Sequence, residues 1–237
     1  MKKKTDENIY AVFSDLMTGL MFIFVIALIA YMLNFNQQNT QEEQLKSDLR
    51  NHLFLKSDLM KSISRELKRF GIKHKVDNDM GVLRFTSDYL QFESGTAKLS
   101  NDQIKYLFGV SKALENVLPC YSQKENNKLF VQNCRKDTRG KIKSVLIEGH
   151  TDNTPLRKTG NSIKDNMDLS TQRAKTVLTT IVTKNLETLL NREGDMLFAI
   201  AGYGDKKPLR RHKQVKADPV NRRIDIRFLL YAPWDKK

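Results

Sequence analysis

The stretches SVLIE (144–148), STQRAKTVLTTIVTKNLETLL (170–190) and LFAIA (197–201) decide the architecture. They predict a strand, a helix over Thr171–Leu190 capped by Ser170, and a second strand. Working outward, further strands are expected at Ile72–Val76, Gly81–Phe85 and Arg223–Leu230, and a helix over Asn101–Leu118 with Ser100 as N-cap. Strands separated by helices of this length predict a two-layer α/β sandwich over residues 72–237. Roughly 165 residues are enough to bury a core of their own.

The chain before residue 72 has a different composition. Residues 10–33, YAVFSDLMTGLMFIFVIALIAYML, form a 24-residue apolar run, long enough for a helix to cross a hydrocarbon layer of ~30 Å. A signal peptide is disfavoured, because the run exceeds an ordinary h-region and no small-x-small cleavage site closes it. Lys2, Lys3 and Lys4 precede the run, and no Lys or Arg follows Leu33 until Lys46. The positive-inside rule therefore predicts a short cytoplasmic tail (1–9), a single inner-membrane span (10–33) and a periplasmic remainder. Residues 34–71 read as a helical linker, with Leu45, Leu49 and Leu53, then Leu55, Leu59, Ile63 and Leu67, at four-residue spacing. Two readings stay open for it: a solvated stalk, or a helix that pairs with a second copy of the chain.

Asp15 is the only charged residue in the span. Acids within a bilayer are costly and mark proton or ion paths. Its helical neighbours Ala11, Thr18 and Gly19 form a small face suited to close helix contact, with Phe13, Leu16, Leu20 and Phe24 elsewhere. The alternative is that Asp15 simply reaches the headgroup layer.

A formal charge of +14 points to a polyanionic partner. With the basic domain outside the cytoplasm, cell-wall and lipid anions are expected rather than nucleic acid. Cys120 and Cys134, the only cysteines, are expected to form a disulfide closing an insertion at 119–141; no histidine stands near enough to complete a zinc set. No G-x-S-x-G, H-E-x-x-H or plausible Cys-His pair is present, so neither a catalytic nor a metal site is expected. His150 has no histidine at ligand spacing, since His52, His74 and His212 lie elsewhere, and is expected to be a structural, hydrogen-bonding residue.

Four separated pieces carry the strongest signal: LQFESGTAKL (90–99), EGHTDN (148–153), NMDLSTQRA (166–174), and GYGDKKP (202–208) with NRRID (221–225). In this order they resemble the OmpA-like peptidoglycan-binding domains. The resemblance implies a pocket for the diaminopimelate arm of the wall peptide. Asp152 would hold the ligand ammonium and Arg173 its carboxylate, with Thr151 and Asn166 nearby and the helix amides adding neutral hydrogen bonds. Physical chemistry agrees, because a zwitterion needs one partner of each sign and Arg offers a two-pronged fork. Arg222 and Arg223 are further candidates for ligand contact, although strand-edge arginines are often only solvated. The competing reading makes Asp152 and Arg173 a structural ion pair.

Joined to a single span, such a domain resembles the MotB-type stator subunits. Ser14-Asp-Leu-Met-Thr18 is similar to the stator Asp-x-Met-Thr motif, which implies that Asp15, beside Thr18, accepts a translocated H⁺ or Na⁺; no resident cofactor is implied. The aromatic lead-in of the flagellar subunits is replaced by Tyr10-Ala-Val-Phe-Ser14, and the cysteine insertion is a further departure. The SDLMTGLM core and short tail are closer to the ZorB-type subunits of Zorya anti-phage defence systems. That likeness implies a MotA-like multispan partner (ZorA), a second copy of this chain, peptidoglycan, and cytosolic defence effectors acting downstream, with no enzymatic activity in this chain. The alternatives are a flagellar stator subunit and a passive wall anchor, which would need everything here except Asp15.

Overall fold

A computed structural model of the chain describes residues 2–123, 134–135, 138–156 and 163–235, with side chains from Phe13 onward. It divides into two compact units, residues 1–51 and 52–237. The N-terminal unit is helical throughout, within helix α1 (Lys2–Arg69). This helix is long and apolar enough to cross a membrane. Phe22, Ile23, Ile26 and Ile29 are all more than half exposed. A row of large apolar side chains without a core of its own requires an apolar surrounding or a partner helix.

The second unit begins at His52, twenty residues ahead of the start expected at Ile72. Packing explains the difference. Leu45, Leu49 and Leu53 are 53, 44 and 53% exposed, whereas Leu59, Met60, Ile63 and Leu67 are fully buried in the core. The last turns of α1 are therefore part of the sandwich, and the expected linker ends earlier than residue 71. Gly71, at φ 70°, ends α1 in a left-handed cap, with Ile72 N–H donating to Leu67 O and Gly71 N–H to Lys68 O.

The sheet comprises β1 (Lys75–Asp77), β2 (Val82–Thr86), β3 (Ile142–His150), β4 (Phe198–Gly202) and β5 (Arg223–Leu230), in the order β1-β2-β5-β3-β4. Only β3 and β4 run parallel; the other pairs are antiparallel. Helices α2 (Asn101–Val117) and α3 (Asn166–Ile181) supply the second layer, with the short α4 (Lys184–Glu187) after them. Strand alternation sends Ile224, Ile226 and Phe228 into the core and leaves Arg223, Asp225 and Arg227 on the opposite face. Helix α2 starts at the expected Ser100 cap, whose Oγ accepts from Gln103 N–H.

Helix α3 starts five residues before the expected position. Asp165 caps it, accepting from Asp168 N–H at 2.8 Å. Ser170 lies inside the helix instead, fully buried, donating to Met167 O and accepting from Gly204 N–H. Gly149 and Gly202 face each other across β3 and β4, and a Cβ on either would come within 2.0 Å of Ser170 O or Thr171 Oγ1. Two bare backbones thus let the first half of α3 lie directly on the sheet. The Cys120–Cys134 disulfide is formed, with Cα atoms 5.2 Å apart. The rest of the insertion, 124–133 and 136–137, lies outside the described residues, as do residues 157–162.

Candidate ligand-binding cleft

The close packing of α3 on β3 and β4 sets the geometry of a cleft of about 760 Å³ in the second unit. Thr151 and Asp152 leave the end of β3, Asn166 and Arg173 project from α3, and Arg222 and Arg223 enter β5; all six line the cleft. The loop before α2 supplies the facing wall through Leu90, Phe92 and Gly95. Residues drawn from all four sequence pieces therefore meet in one place.

Asp152 is 5% exposed, and both its oxygens are engaged. Oδ1 accepts from Thr154 N–H at 3.1 Å; Oδ2 accepts from Asp218 N–H at 3.2 Å and from Arg222 Nη1 at 2.9 Å. Arg173 does not pair with Asp152. Its Nε donates to Thr96 O at 2.9 Å and its Nη2 to Glu93 O at 3.4 Å, while the guanidinium lies 5.0 Å over the Phe92 ring. The competing reading of an Asp152–Arg173 ion pair does not describe this arrangement. Burial and the like charge of Arg222 pull the Arg173 pKa down to about 10, with Asp152 opposing. Arg173 still carries its charge at neutral pH, and among the described residues it has no carboxylate partner.

Asn166 is used internally, since its amide donates to Thr154 O at 3.0 Å and Asp152 O at 3.4 Å. It holds the 152–154 turn in place, which positions Asp152. Thr151 is 3% exposed and its Oγ1 has no hydrogen-bond partner among the described residues, although its backbone N–H donates to Gly204 O. The hydroxyl itself is inaccessible to solvent, so Thr151 faces the cleft without presenting a free polar atom to it.

Arg223 differs from its neighbour. Its Nε donates to Asp225 Oδ2 at 3.0 Å and its Nη2 to Lys207 O at 3.0 Å, and Arg84 also binds Asp225. It belongs to an ionic network on the outer sheet face, with Arg227 gripping Glu148 through two bonds of 2.8 and 2.9 Å. Both arginines line the cleft, but Arg223 is tied into the sheet-face network whereas Arg222 pairs with Asp152.

His150 corrects another expectation. It is 3% exposed, and among the described residues neither ring nitrogen has a hydrogen-bond partner; the ring stacks on Tyr203 at 5.2 Å between centroids. Burial, then Arg223, Arg84, Lys207 and Arg227, push its pKa down to about 3, so the ring is neutral. Glu148, His150 and Asp225 bring ligand atoms within 4.8 Å of one another. Both carboxylates are already committed to arginines, and three guanidinia beside them oppose a cation. Sequence reasoning also missed Phe92, which seats Arg173; its signal was the aromatic within LQFESG.

Residues 122–222 match the OmpA family. That stretch of the second unit is OmpA-like. The chain is 23% identical to Motility protein B of Bacillus subtilis (strain 168) over 171 residues, 70% of this chain and 53% of that protein. It thus spans about half the length of that relative. A MotB-like protein of Desulfovibrio vulgaris is 18% identical with a TM-score of 0.52, over 77% of this chain and 94% of that one, and shares the fold. The periplasmic domain of Helicobacter pylori MotB aligns at 19% identity and a TM-score of 0.41, over 63% of this chain and 81% of that one. The chain is thus similar in sequence to a motility protein B and in fold to a MotB-like protein. In the other unit, Asp15 is exposed on α1 and Thr18 Oγ1 donates to Ser14 O at 2.7 Å.

Proposed function

We propose that this chain is a stator-like subunit of an ion-driven inner-membrane motor, held to peptidoglycan by its OmpA-like domain. The observation that carries the anchoring half is the cleft itself. Arg173 is a buried cation with no carboxylate partner among the described residues, and Asp152 is a buried carboxylate lining the same cavity. A zwitterionic side arm, such as that of diaminopimelate, offers the matching ammonium and carboxylate. The motor half rests on Asp15 and Thr18 in the membrane-length helix, with Asp15 as the group that carries H⁺ or Na⁺. A MotA-like multispan subunit and a second copy of the chain would surround that helix. In this reading the N-terminus is cytoplasmic and the OmpA-like domain periplasmic, and the chain performs no catalysis of its own.

Within this class we favour the Zorya-type defence branch, with a ZorA-like partner and cytosolic effectors downstream; the SDLMTGLM core supports it. The similarity to Motility protein B supports a second reading, a flagellar stator. Loss of phage protection against loss of swimming, on deletion of the gene, separates the two.

The anchoring half is tested by co-sedimentation of the detergent-solubilised chain with purified peptidoglycan. Truncating one partner of a hydrogen-bonded charge pair costs about 2–5 kcal/mol of binding, so Asp152→Ala and Arg173→Ala should each abolish sedimentation while the fold survives. Binding that fades with salt and ignores Asp152→Ala would mean a nonspecific basic tether instead.

A further inference from the structure

Arg222 occupies the position at Asp152 that a ligand ammonium needs. Its Nη1 lies 2.9 Å from Asp152 Oδ2, in a salt bridge whose arginine side is 36% exposed and whose aspartate side is 7% exposed. Arg173, by contrast, is fixed by two backbone carbonyls and the Phe92 face. The two guanidinia are close enough for Arg222 to lower the Arg173 pKa. An incoming ammonium competes for Asp152 Oδ2, and the more exposed Arg222 is the group free to swing aside. Once displaced, Arg222 is a second guanidinium without a carboxylate at the cleft mouth.

We propose that Arg222 is an internal stand-in for the ligand ammonium and, once displaced, binds a second ligand carboxylate, so that the cleft selects wall peptides presenting one ammonium and two carboxylates. This rests on the cleft being a stem-peptide site. A lone zwitterion fills Asp152 and Arg173 but strands Arg222. A neighbouring carboxylate on the same peptide restores a partner for every charge. Asp88 also lines the cleft, where its Oδ2 accepts from Thr86 Oγ1. It is the protein carboxylate that competes for the released guanidinium, and capture by Asp88 would erase any selectivity for the second ligand carboxylate.

The test is calorimetric titration of the full chain in detergent with N-acetyl-L-Ala-γ-D-Glu-meso-diaminopimelate and with its diamide, blocked at both the glutamyl α-carboxyl and the main-chain diaminopimelyl carboxyl so that only the zwitterionic side arm is left charged. Wild type should bind the parent about tenfold more tightly than the diamide, the worth of one charge-assisted bond. Arg222→Ala should bind the two peptides alike, and Arg222→Gln, which keeps most of the side chain without its charge, should do the same. Equal binding of the two peptides by wild type overturns the inference, as does a preference that survives in Arg222→Ala. Asp152→Ala separates this from the broader reading: if it leaves both affinities unchanged, the cleft is not the stem-peptide site at all.

Discussion

Cutting the chain at Ile72, where the sequence places the start of the globular domain, should unfold it. Leu59, Met60, Ile63 and Leu67 are fully buried in the same core cluster as Leu107, Leu114 and Phe85. Burying each such side chain contributes roughly 1.5–3 kcal/mol, so removing four forfeits roughly 6–12 kcal/mol. Whole domains are stable by only about 5–15 kcal/mol. The cut also strips the Asp58 carboxylate from Tyr121 Oη (3.0 Å), Glu66 from the Asn116 amide (2.8 Å) and Ser64 from His74 Nε2 (2.8 Å). Fragments 52–237 and 72–237, compared by circular dichroism during urea titration, check the argument. The longer fragment should unfold in one cooperative transition, and the shorter should show none, or one at far lower urea. Equal midpoints for the two fragments would refute the claim that the end of α1 belongs to the domain. The result also bears on binding assays, because a fragment begun at Ile72 would lose peptidoglycan through unfolding and mimic a defective cleft.

Two further perturbations reach other parts of the molecule. His150 titrates near pH 3 when folded against an ordinary 6.5; its contribution is fully present above 6.5 and is lost as pH falls from there towards 3, so wild type should lose about 2 kcal/mol at pH 5. His150→Phe should flatten that part of the urea-derived stability profile, and superimposable slopes for the two proteins would count against a buried neutral imidazole. Asp15→Asn preserves shape and hydrogen bonding but removes the titratable proton, so on the proposed defence-motor reading protein level should hold while cells lose phage protection; undiminished protection at normal protein level would count against Asp15 as the ion carrier of that reading.

How much of this was legible in the sequence depends on whether the deciding contacts were local. Strand β5 was read to its true ends, Arg223–Leu230, because its alternation is complete within eight residues and one face is buried. The start of α3 was misread because Ser170 is a good capping residue by type. Its partners, however, are Met167 O one turn back and Gly204 N–H across the fold, and only the second could have ruled the cap out. The domain start was misread for a similar reason. Four-residue spacing runs through both halves of the helix, and the only local sign of change is the slip from Leu53 to Leu55, after which the stripe turns from exposed to buried. The cleft shows the limit most clearly. Family-like motifs brought forward six residues that line one cleft, yet adjacent arginines took different partners: Arg223 joins Asp225 two residues away on its own strand, while Arg222 reaches Asp152 across seventy residues of sequence. A motif records which side chains gather but not which of them are already paired. In the proposed binding mode, the charge of Arg173, which has no carboxylate partner among the described residues, and the partly exposed Arg222 beside Asp152 set what a ligand must bring, and both are products of tertiary packing.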